Sequence, residues 1–169
     1  MSGPEGLIRI FEYAINQEET GKKFFQDSLT RLDSGAAVSA FQRLIQEEEK
    51  HIEFLHRLIA NIKAGKKIAL SEVADVVLQP VDYFDSRARS EFLQRCLEGS
   101  MVPDVTVFNL AWLIEKDLSE FYQNMSQKTS GEAKLALAML ADWEASHEKF
   151  FRQFRDALTE TYARMPWGG

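Results

Sequence analysis

Residues 44–55 read LIQEEEKHIEFL, and residues 140–151 read LADWEASHEKFF. Each carries the same element, Glu48-x-x-His51 and Glu144-x-x-His147, inside a run whose apolar residues recur at three and four. That recurrence is the period of an α-helix. At about 100° per residue, Phe41, Leu44, Ile45, Leu55, Ile59 and Ile62 form one apolar stripe. Glu48 falls in the middle of that stripe, with His51 one turn along. In the second run, Leu137, Leu140, Ala141, Phe151, Phe154 and Leu158 form the stripe around Glu144 and His147.

Two further segments place a single acid the same way. Residues 14–25, AINQEETGKKFF, centre Glu18 among Leu7, Phe11, Ala14, Ile15, Phe25 and Leu29. Residues 110–122, LAWLIEKDLSEFY, centre Glu115 among Phe108, Ala111, Trp112, Leu118 and Tyr122. The chain is therefore predicted to be all-α, a four-helix bundle with helices over Leu7–Leu32, Ala36–Ile62, Asp104–Met125 and Glu132–Tyr162. Asp33-Ser34-Gly35 and Ser130-Gly131 are short joints, Asp104 is a candidate N-cap, and Pro166 stops the last helix. Residues 66–103 are predicted to be a long helical crossover. They hold LSEVADVVLQ and FDSRARSEFLQRCLEG with Pro80 between, and Val73, Val76, Val77, Phe92 and Leu93 would pack on the outside. Two short joints and one long one suit two antiparallel pairs.

A buried, unpaired carboxylate costs several kcal/mol or takes up a proton. Four facing one another add mutual repulsion. Divalent cations remove the problem. Glu18, Glu48, Glu115 and Glu144 carry four negative charges, His51 and His147 are neutral donors, and two divalent ions balance the sum. A Glu from each of two helices and Glu-x-x-His from the other two is the ligand pattern of di-iron carboxylate bundles. A repeat supports it: Glu18 precedes Glu48 by 30 residues, and Glu115 precedes Glu144 by 29.

Spacing alone is weak evidence, since Glu53-x-x-His56 has it too. Glu53 lies about 140° from Glu48, toward solvent, so that pair is not expected to bind metal. Tyr122 either donates a hydrogen bond to a carboxylate of the site or packs as core. Glu47, Glu49 and Glu148 are expected on solvated faces or in surface ion pairs, and Trp112 and Trp143 in the core or a subunit contact.

The bulk properties narrow the class. The 169 residues fit a single domain, 1–169, and 45% hydrophobic residues supply a core. A net charge of -6 disfavours duplex nucleic acid and anionic membranes as partners. The only cysteine, Cys96, makes no internal disulfide and is expected to be a buried or partly buried apolar residue. No apolar run reaches membrane-spanning length. The start, MSGPEGLIRIFEYA, lacks the features of a signal peptide, so a cytoplasmic location is expected.

At these four strings the chain resembles rubrerythrin-like proteins of the ferritin-like superfamily, over nearly its whole length. The resemblance implies metal-ligand roles for Glu18, Glu48, His51, Glu115, Glu144 and His147. It implies two iron ions, though zinc or manganese would accept the same donors. It implies an oxidoreductase that reduces hydrogen peroxide or reacts with dioxygen, in a homodimer or larger homo-oligomer. Two positions depart from the family. With Cys96 alone, these residues encode no four-cysteine rubredoxin-like domain, so a separate electron-donor protein is expected. Leu118 stands where rubrerythrins carry an extra carboxylate. Two other functions stay open on the residues: a ferroxidase or iron-handling role with iron as substrate, and a metal-stabilised structural or interaction bundle without turnover.

Overall fold

A computed structural model describes residues 3–31, 35–67 and 105–164. Residues 68–103 of the expected crossover, with Cys96, and the Asp104 cap and Pro166 stop lie outside the described residues. Four α-helices make up the bundle: α1 (Pro4–Ser28), α2 (Gly35–Lys63), α3 (Val105–Lys128) and α4 (Gly131–Arg164). Among the described residues there is no β-strand.

Helix ends differ from the sequence expectation for local reasons. α1 begins at Pro4, ahead of the first apolar residue, because proline's fixed φ and missing N–H suit a first helical position. It ends at Ser28 and tightens into a 3-10 turn over Leu29–Arg31, short of Leu32. There the Thr30 hydroxyl donates to the Asp27 carbonyl at 3.1 Å. α2 closes on Gly65, whose φ of 66° is left-handed. The Gly65 N–H bonds the Ile62 carbonyl at 3.0 Å and the Lys66 N–H bonds the Asn61 carbonyl at 2.9 Å. This pair of bonds is a Schellman cap, which satisfies two carbonyls the helix leaves open. α3 runs three residues beyond Met125, to Lys128.

α1 packs on α2, α3 on α4, and α1 also meets α3. The interior has three layers along the bundle axis. At one end each helix contributes a phenylalanine: Phe25, Phe41, Phe108 and Phe151, all 0–1% exposed. Their rings meet edge to face between Phe25 and Phe41 at 5.6 Å and between Phe41 and Phe108 at 5.6 Å. Phe25 and Phe151 stack at 5.8 Å. The other end is aliphatic and aromatic, with Phe11 and Ile15, Leu55 and Leu58, Leu118 and Tyr122, Leu137 and Leu140. Each such side chain contributes roughly 1.5–3 kcal/mol on full burial. Between the two apolar plugs every helix carries its acid, so the plugs hold the polar layer in register and keep bulk water from its ends.

Candidate metal centre

The six expected side chains converge. Glu18, Glu48, Glu115 and Glu144 are 0% exposed, and His51 and His147 are 1% exposed. Two overlapping groups form, each with one donor atom per residue and all donor atoms within 4.8 Å of one another. One is Glu18, Glu48, His51 and Glu144; the other is Glu48, Glu115, Glu144 and His147. Glu48 and Glu144 belong to both. Glu18 and His51 serve one group only, and Glu115 and His147 the other.

The distances follow this division. His51 Nδ1 lies 2.7 Å from Glu144 Oε1 and 3.6 Å from Glu18 Oε2. His147 Nδ1 lies 3.3 Å from Glu115 Oε2, 3.4 Å from Glu48 Oε1 and 3.4 Å from Glu144 Oε2. The imidazole rings of His51 and His147 stack 5.8 Å apart.

Burial this complete distorts the titrations. Burial pushes the Glu48 carboxyl well above the usual carboxylate range, and the neighbouring Glu144 and Glu18 push it the same way. Glu115 is raised by burial and then by Glu144 and Glu48. Burial pulls His51 down, but the Glu144 and Glu18 charges outweigh it and hold the imidazole well above its ordinary value. For His147 burial is likewise outweighed, with Glu115 foremost. Burial would raise Glu144, yet the His51 charge, with Glu115 and His147 close beside it, holds it well below. Without cations, the layer therefore retains protons on some of its acids and on its imidazoles.

Tyr122 donates its hydroxyl to Glu18 Oε1, across from α3 to α1. Burial and the Glu18 charge raise the phenol, so it keeps its proton and acts as a donor. Phe25, which follows Glu18 by seven residues as Tyr122 follows Glu115, has no hydroxyl and packs in the phenylalanine layer. Glu53 and His56 are exposed, and Glu53 pairs with Arg57 at 2.7 Å.

Three neighbours differ from or add to the sequence reading. Glu47, expected in solvent, is 2% exposed. It is covered from its own helix by Arg43 one turn before, 3.4 Å away, and by Lys50 one turn after, 3.7 Å away. Glu148 is half-buried and accepts a 2.6 Å hydrogen bond from Trp112 Nε1. Trp143 stacks on His51, with ring centroids 5.3 Å apart and planes 10° from parallel. Its position just before Glu144 was the only signal in the sequence. Glu49 does sit at the surface, 3.9 Å from Lys22.

The Rubrerythrin family model matches residues 9–155, most of the chain and all six of these positions. The chain belongs to the rubrerythrin family. No curated protein and no solved structure matches it significantly. Within a rubrerythrin, two overlapping carboxylate–imidazole groups support a di-iron redox site. The donor set fits such ions on the structure's own terms. Both carboxylate oxygens of Glu48, Glu115 and Glu144 are buried and accept no hydrogen bond of good geometry. Buried polar atoms in that condition call for a partner, and carboxylate with imidazole suits iron, zinc or manganese. None of the described helices is long and apolar enough to cross a membrane.

Proposed function

We propose that this rubrerythrin is a di-iron oxidoreductase that reduces hydrogen peroxide, or reacts with dioxygen, using electrons from a separate donor protein. In this reading Glu18, Glu48, His51 and Glu144 would hold one iron ion, and Glu48, Glu115, Glu144 and His147 would hold the other. Glu48 and Glu144 reach both. The observation that carries the reading is the buried set of carboxylates, divided into two groups that share two members, in which both oxygens of Glu48, Glu115 and Glu144 and one of Glu18 accept no hydrogen bond of good geometry. Bound iron would supply the two electrons that peroxide reduction needs, one from each ion.

The chain's own residues do the rest. Four carboxylates against two divalent ions make a neutral core, which lowers the penalty of burying either charge alone. The Tyr122 hydroxyl fixes the rotamer of Glu18 and leaves its other oxygen, Oε2, facing His51. The phenylalanine layer and the opposite aliphatic layer exclude water from the site's two ends. His51 and His147 surrender their protons when cations arrive, because only the neutral imidazole is a ligand. The donor protein, and self-association of the chain, rest on the family resemblance.

Anaerobic loading with ferrous ion tests the reading. Two irons per chain should bind, one peroxide should disappear per two irons, and a diferric absorbance should develop. A fully loaded protein that reacts with neither peroxide nor dioxygen overturns it. Oxidation of many irons per chain would instead assign iron as the substrate.

A further inference from the structure

The two donor groups follow one pattern, but the pattern is broken at a single oxygen. Glu18 commits Oε1 to the Tyr122 hydroxyl, so Oε2 alone is left to the cluster. Glu115, its counterpart, is 0% exposed, and neither of its oxygens accepts a hydrogen bond of good geometry. The sequence repeat accounts for the difference. Tyr122 follows Glu115 by seven residues and reaches across to Glu18, whereas Phe25, seven residues after Glu18, has no hydroxyl to offer Glu115 in return. Glu48 and Glu144 belong to both groups, with their oxygens in the same open condition as those of Glu115.

A carboxylate binds a cation through one oxygen or through both. An oxygen that already accepts a phenol's hydrogen bond is the poorer donor to a cation. With one oxygen each from Glu48 and Glu144, the His51 group offers an ion four donor atoms, and the His147 group offers five. Preorganisation works the other way, since the Tyr122 hydrogen bond holds Glu18 in place before metal arrives. Burial removes most of that advantage. Glu115 is as completely buried as Glu18, so its rotamer freedom is largely lost on folding. The number of donors therefore decides. Two cations in groups that share Glu48 and Glu144 also repel each other, so they enter one after the other.

We propose that the two metal positions are unequal and fill in a fixed order. The Glu115–His147 position fills first and the Glu18–His51 position second, and Tyr122 is the positioning residue that sets this order through Glu18. The inference rests on the two-ion reading above and is independent of the redox step. An ion at the second position has fewer protein donors, so it keeps more coordination sites for an outside ligand.

Cadmium tests it, as a redox-silent dication with no fixed preference for four donors. The chain has three histidines, so isotope-labelled imidazoles give three sets of magnetic resonance signals, with the exposed His56 as internal reference. Scalar coupling between cadmium and a ring nitrogen identifies the ring that is bound. Groups beside a metal ligand change metal affinity roughly 10–100-fold. At one cadmium per metal-free chain, His147 should therefore show the coupling, and His51 should show it only with the second. Tyr122→Phe returns Oε1 to the cluster, and both rings should then share the first cadmium. Glu115→Gln takes a charged oxygen from the His147 group, and His51 should then couple first. Coupling to His51 first, or to both rings together, in the unaltered chain overturns the proposal. So does an order that Tyr122→Phe or Glu115→Gln leaves unchanged. Cadmium that couples to neither ring overturns the two-ion reading, and the order falls with it. Ordered filling in a protein whose ferrous form reacts with neither peroxide nor dioxygen supports the proposal and overturns only the redox reading.

Discussion

Glu48→Gln separates what the site does for stability from what it does for metal. Glu48 sits in both donor groups, is fully buried, and has no hydrogen-bond donor on either oxygen. Its folded-state carboxyl is raised above the ordinary 4.5. A raised carboxyl means that the metal-free folded chain binds more protons than the unfolded chain above that value. Folding stability from this group is therefore lost as pH climbs from 4.5 through the folded-state value. Glutamine removes the ionisation and keeps the shape, and its amide can donate to a neighbouring carboxylate. In chelator, the variant should match wild type near pH 4.5 and exceed it in mildly alkaline buffer. Relieving one buried group that lacks its partner is worth about 1–3 kcal/mol. For a chain of this length that corresponds to a Tm roughly 2–12 °C higher. Adding ferrous or zinc ion reverses the order. At free metal 1,000 times its Kd, wild type gains about 4 kcal/mol, whereas the variant has lost a donor shared by both ions. The assay is a thermal melt by circular dichroism across pH, with chelator and with metal. A metal-free Glu48→Gln protein less stable than wild type at alkaline pH, or one that still binds two ions tightly, would overturn this account of Glu48.

Three further outcomes are expected. His147→Ala should reduce bound metal from two ions per chain to one by elemental analysis, since His51 serves the other group, and His56→Ala should leave two. Tyr122→Phe leaves Glu18 Oε1 without its donor, so the metal-free protein should lose about 1–3 kcal/mol in denaturant titration, and the metal-loaded protein less. His51 and His147 are held above their ordinary 6.5, so they are protonated at neutral pH in the metal-free state. Metal binding should then release protons into weak buffer, and affinity measured by calorimetry should rise as pH climbs from 6.5 through the raised values.

Much of this was legible in one dimension, because a helix repeats with a fixed angle per residue. That angle places Glu18, Glu48, Glu115 and Glu144 in the middle of apolar stripes, and it excludes Glu53, which is exposed as expected. The electrostatic penalty of acids in such stripes then implies cations before any contact is known. The helix ends were read less well, since Pro4 and the turn after Ser28 depend on local backbone bonding that apolar spacing does not report.

Apolar spacing along the chain therefore dictates which residues face the bundle axis, and that four of them are acids. How those faces meet is set by the assembled bundle. It put Glu48 and Glu144 in both donor groups, covered Glu47 with Arg43 and Lys50, laid Trp143 on His51, and joined Tyr122 to Glu18 across 104 residues. It also brought α3 so close to Gly21 of α1 that a Cβ there would stand 3.3 Å from Ile114 Cγ2. These features depend on the rotation and separation of neighbouring helices. Those are set by packing of the whole interior, and no single stripe encodes them.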